Sequence, residues 1–170
     1  MVIAAAPPDP VGLSLRLILP LAAIAPVSKL AVWSLLLGYI DPRTAFLSGL
    51  VSYALNLAAV YLLVFIAARL APYFEGEARP AEALTLVAWA ATASWIGAIF
   101  HVVPVLGVLS VLASLYSLYL LFCGAPTLLA VPPQRALTYT AAVGLAALGL
   151  FVLISAGIAA VFGIAALGMA

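Results

Sequence analysis

The residues that could do chemistry are few and far apart. His101 is the single histidine, Cys123 the single cysteine and Lys29 the single lysine. An imidazole titrates near neutral pH and could act as a switch. His101 stands at a membrane-end turn before Pro104, where a hydrogen-bonded structural residue is the more economical reading. Lys29 falls inside the first apolar stretch, and an intramembrane charge is expensive enough to suggest a function. It could bind an anionic head group or carry a proton. No acid lies well inside an apolar stretch to pair with it, which favours snorkelling to the interface from a helix broken at Pro26, or a lipid contact.

Other constellations fail on number or place. One His, one Cys and no carboxylate within a span are too few to hold a metal. A lone Cys123 also excludes an intramolecular disulfide and any cysteine-based zinc site. Glu75, Glu77 and Glu82 read as a solvated loop and a helix start rather than a general-acid pair, and an acid in a first helical turn suits the helix dipole. There is no Ser-His-Asp set, glycine-rich phosphate loop or dinucleotide fingerprint. The expectation is a protein that is not an enzyme, with no catalytic residue, no cofactor and no metal.

The elements that would position these groups are apolar helices. Of 170 residues, 68% are hydrophobic and 6% charged, with a mean hydropathy of +1.36. A soluble domain carries about a quarter charged residues, so the solvent here must be lipid. Several runs exceed the ~20 apolar residues that cross a hydrocarbon core. They lack the period-two alternation of barrel strands, leaving helices as the way to satisfy the backbone. The expected architecture is an all-α integral membrane protein, a bundle of about five transmembrane helices.

In order, residues 1–10 form a short cytoplasmic tail with no basic residue ahead of an apolar core, unlike a cleavable signal peptide. Residues 11–163 form the membrane domain and 164–170 a C-terminal tail. Val11–Leu19 is expected as an interfacial piece with Arg16 at its edge, because Pro20 and Pro26 interrupt the first stretch. The crossings are expected at about Leu21–Tyr39, Ala45–Leu70, Ala81–Phe100, Val105–Cys123 and Ala136–Phe162. A Gly124–Pro126 break and a link closed by Pro132-Pro133 separate the last two, with a helix restart at Arg135.

Polar residues inside these spans are sparse: Ser52, Asn56, Ser94, His101 and Tyr116 are the candidates for a polar interior. Tyr116 sits deep enough to bond to a Ser or Asn of a neighbouring helix. Tyr119 and Tyr139 are expected as interface anchors, where an apolar ring meets a polar tip. Trp33, Trp89 and Trp95 are expected to pack. In the last helix Ala142, Gly149, Ala156 and Gly163 recur every seven residues. Small residues at that spacing let lipid-bathed helices approach closely, making this a candidate packing face toward a helix of this chain or of another subunit.

Orientation follows from the basic residues. With five crossings, one side holds Arg16, Arg69, Arg79 and Arg135 and the other Arg43. The positive-inside rule then puts the N-terminus in the cytoplasm and the C-terminus outside. Lys29, Arg69 and Arg135 are candidate lipid or ligand contacts. A net charge of +1 without a basic run gives no reason to expect nucleic acid. Membrane lipids, and a membrane protein partner or a second copy of this chain, are the expected company.

One further pattern lies in the order of the interruptions. Leu70-Ala71-Pro72 is followed by Phe74 and Gly76, then Trp95, then Val103-Pro104 with Gly107. Next come Tyr116-Ser117-Leu118-Tyr119 with Gly124 and Pro126, and finally Pro132, Ala136 and Tyr139-Thr140. From about Leu15 to Phe162 this resembles the bacterial branch of the Yip family, the Ypt/Rab-interacting integral membrane proteins. The resemblance implies five membrane helices and a cytoplasmic N-terminus. Eukaryotic members are associated with small GTPases and vesicle traffic and carry a substantial cytoplasmic N-terminal region. About ten residues stand there in this sequence, so GTPase binding is not carried over. The expected role is a non-enzymatic organiser, scaffold or accessory subunit in a bacterial inner membrane. A small transporter or channel component is the alternative.

Overall fold

The computed structural model describes residues 12, 16, 18–23, 27, 42–97 and 107–167. Among these every regular element is helical. Helix α1 is a short turn, Leu19–Ala22; α2 runs Pro42–Leu70 and passes into a 3-10 turn at Ala71–Phe74. Then come α3 (Pro80–Gly97), α4 (Gly107–Leu128) and α5 (Pro133–Leu167). Lys29, Trp33, His101, Val103, Pro104 and most of the expected first crossing lie outside the described residues.

Among the described residues three stretches are long and apolar enough to cross a membrane: Phe46–Phe74, Val108–Leu128 and Pro133–Gly157. Less than a fifth of each is buried by protein, at 17%, 11% and 17%. Phe46, Val111, Leu145, Phe151 and Leu153 are among the large apolar side chains on the outside. Only a hydrocarbon solvent accommodates such a surface, and in it the helix satisfies its own backbone. This is an integral membrane protein.

The helices form a ring. α3 packs on α2 and α4, and α5 closes the circuit by packing on the other sides of both. α1 lies against α2 and α3, where Ile18 and Ala22 are fully buried and the Tyr53 hydroxyl donates to the Leu19 carbonyl at 3.0 Å. This leaves α3 as the most enclosed helix. Ala83, Leu84, Thr85, Leu86, Val87 and Ala88 are consecutive and all buried, so every face of that segment meets protein. Thr85 satisfies its hydroxyl by donating to the Ala81 carbonyl at 3.0 Å.

The expected break at Gly124–Pro126 is not one. α4 continues through Pro126 to Leu128, and the chain turns instead at Ala130, which has φ 53°. The physical reason is position. Pro126 forfeits one bond, to the Phe122 carbonyl, and crowds that same carbonyl, so the loss falls on the single turn before it at the end of the helix. Gly124 serves packing: a Cβ there would collide with the Leu86 side chain of α3. Pro133 then opens α5 at a position where a missing N–H costs nothing. α5 also outruns the expected Ala136–Phe162 at both ends.

Candidate functional site: the paired loops at one end of the bundle

Four helix ends meet at one end of the ring, those of α2 and α4 leaving and those of α3 and α5 entering. The loops between them are joined. The Glu77 N–H donates to the Leu129 carbonyl at 2.8 Å, and the Gly76 N–H to Ala71 at 2.9 Å. Glu75 takes a left-handed conformation, φ 63°, to turn the chain out of the 3-10 element. Gly76 is needed for the approach: a Cβ there would lie 2.7 Å from Val131 Cγ2 and 2.8 Å from the Leu129 oxygen.

Ion pairs decorate this junction. Arg135 Nη2 meets Glu75 Oε1 at 2.8 Å, and Arg79 pairs with Glu77 in its own loop. Both pairs are about half exposed, a setting in which such pairs contribute roughly 0–1 kcal/mol. Charge reversal at Arg135 tests the junction. Arg135→Glu should lower the thermal midpoint of detergent-solubilised protein by a few degrees by placing two acids together. Glu75→Arg in the same chain should recover most of the loss.

Beneath the loops lies Tyr139. Expected at the interface, it is instead 0% exposed and among the largest fully buried side chains. Its hydroxyl donates to the Ala67 carbonyl at 3.0 Å, tying α5 to α2. Its ring meets Phe74 edge-on, with centroids 5.8 Å apart. Ala67 belongs to the last turn of α2, where carbonyls run out of intrahelical donors. A buried phenol fits that need. The next residue, Thr140, is buried with no hydrogen-bond partner for its Oγ1, alone in this among the described side chains.

The polar interior forms a seam between α3 and α4. Ser94 Oγ and Ser117 Oγ are 2.6 Å apart, and the Ser117 hydroxyl also lies 3.2 Å from the Ala113 carbonyl. The Ser110 hydroxyl donates to the Gly97 carbonyl at 3.1 Å. Ser94 was expected inside; Ser117 was not. The signal for it was present, because Ser110, Ala113 and Ser117 are small residues at spacings of three and four on one face of α4. Tyr116 is the neighbour rotated away by one residue. It is 54% exposed and stacks on Tyr119 at 6.0 Å, so it belongs to the outer surface and not the interior. Ser52 and Asn56 are half-buried on α2.

The other expected residues are dispersed. Arg69 is exposed in the last turn of α2, with its guanidinium 4.8 Å from the centre of the Phe65 ring. On α5, Ala142 is half-buried, Gly149 and Ala156 are exposed, and a Cβ at Gly149 would meet nothing within 4 Å. Gly163 lies further along the same helix. Among Gly144, Gly149 and Gly157 of α5, Gly144 is the one that touches another helix: a Cβ there would lie 2.9 Å from Leu118 Cδ2. Among the described residues no group of three His, Cys, Asp or Glu side chains could hold a metal ion. What the end of the bundle offers is a rigid, charged platform.

Comparison with curated proteins and with solved structures returned no match. The sequence model of the Yip1 domain does match, over residues 2–167. That is nearly the whole chain, and the buried Tyr139, the close-fitting Gly76 and the joined loops are the structural content of the pattern of interruptions. The chain belongs to the Yip family of membrane proteins.

Proposed function

We propose that this protein is a non-enzymatic organiser, scaffold or accessory subunit of a larger membrane complex, acting through lateral helix contacts. The observation that carries the proposal is the open outer face of α5. Gly149 and Ala156 are small, seven residues apart and exposed in or beside the span Pro133–Gly157. Lipid-bathed helices associate through such faces, where small side chains let backbones approach. The occupant is a helix of a membrane protein partner or of a second copy. The transporter alternative loses one support, since α4 is continuous through Pro126.

In this reading the protein sits in a bacterial inner membrane with its joined loops on the cytoplasmic side. Arg69, Arg79 and Arg135 lie at that end, in the sense the positive-inside rule requires. Purification in mild detergent should recover a defined oligomer or stoichiometric partner, and Gly149→Leu should release it. A lone monomer, or an assembly indifferent to Gly149→Leu, would sink the idea.

A further inference from the structure

Between α2 and the start of α3, at the end carrying the joined loops, lies a groove of about 310 Å³. Tyr61, Val64, Phe65 and Ala68 line it from α2, and Ala78 and Pro80 close it from the loop and the start of α3. Residues 61, 64, 65 and 68 lie three and four apart, so they make one continuous stripe about 10 Å long. Arg69 stands at its head, with the Phe65 ring beneath its guanidinium. The groove therefore has an apolar floor and a cationic end, and it opens beside a helix whose surroundings are lipid.

The charges nearby decide what could occupy it. In the adjoining loops Glu77 is taken by Arg79, and Glu75 by Arg135. Among the described residues no carboxylate lies within ion-pair distance of Arg69; its described contact is with the Phe65 ring. A guanidinium stacked on an aromatic face keeps its N–H edge free for a planar or tetrahedral anion. Its height matters too, because the span Phe46–Phe74 ends at the 3-10 turn, which places Arg69 where head groups begin.

We propose that this groove binds an anionic glycerophospholipid, with its phosphate on Arg69 and the upper part of one acyl chain along Tyr61, Val64 and Ala68. The α5 face plays no part in it. The test is native mass spectrometry of delipidated protein in detergent, titrated with phosphatidylglycerol and phosphatidylcholine of identical acyl chains. The wild-type chain should retain phosphatidylglycerol in preference. Arg69→Gln should reduce that preference about fivefold, the scale of one interfacial arginine's attraction to an anionic surface. Phe65→Leu, which keeps the floor apolar but removes the ring, should reduce it about twofold. Arg79→Gln, in the loop beside the groove but already paired, should leave it unchanged. Both Phe65 and Arg69 are exposed, so these variants should fold, and unaltered thermal midpoints would verify that. Equal retention of the two lipids by the wild type, an Arg69→Gln chain with undiminished preference, or lipid displaced by a second copy of the chain would each overturn the site.

Discussion

Tyr139→Ala is expected to destabilise the bundle by about 3 kcal/mol, within the range for deleting a buried aromatic side chain. Three losses add up. The ring is 0% exposed, so its removal leaves a cavity that neighbouring helices can only partly close. The edge-on contact with Phe74 goes, as does the bond from the hydroxyl to the Ala67 carbonyl. Tyr139→Phe separates these contributions, keeping the ring and losing only the hydrogen bond. Such bonds within membrane proteins average about 0.6 kcal/mol, so Tyr139→Phe should cost roughly a fifth of Tyr139→Ala. Reversible unfolding in mixed micelles would measure both. An interfacial anchor would behave otherwise, with both substitutions nearly silent.

That contrast shows what could and could not be read from the chain itself. Membrane class, the positions of the helices from Pro42 onward and the meeting of loops 71–80 and 124–135 on one side were legible, because long apolar runs and their interruptions leave little choice. The role of a residue at the end of a run was not. Tyr139 and Tyr119 stand at similar distances from the loops, and hydropathy treats them alike; one is buried beneath Phe74 and the other is exposed beside Tyr116. Rotation about the helix axis separates them, and a nearly all-apolar helix gives little amphipathic signal to define that rotation. Tyr116 and Ser117 show the same ambiguity over a single residue. Proline and glycine are ambiguous in the same way. Gly124 and Pro126 look like a break, yet one makes room for Leu86 and the other stands inside the last turn of a helix that runs on to Leu128.

The same logic identifies a close crossing of two helices. At Gly97 an added Cβ would lie 2.5 Å from the Ala113 Cβ and 3.8 Å from the Ser110 Cα. Helices α3 and α4 therefore touch almost backbone to backbone, and that closeness lets Ser110 reach the Gly97 carbonyl and Ser94 reach Ser117. Gly97→Leu must push the helices apart, overpacking the crossing and stretching both bonds. The expected cost is about 3 kcal/mol, from the upper range for overpacking plus two membrane hydrogen bonds. Gly97→Ala should cost about half as much. The decisive variant is the exchange Gly97→Ala with Ala113→Gly, which moves the missing methyl from one helix to the other. Ala113→Gly inside α4 costs up to about 1 kcal/mol of helix propensity, which Gly97→Ala at the end of α3 returns only in part. If the contact between these two Cβ positions sets the stability, the exchange should unfold within about 1 kcal/mol of the wild type by the same measurement. An exchange no more stable than Gly97→Ala alone would mean that α3 and α4 are held at their distance by something other than this contact.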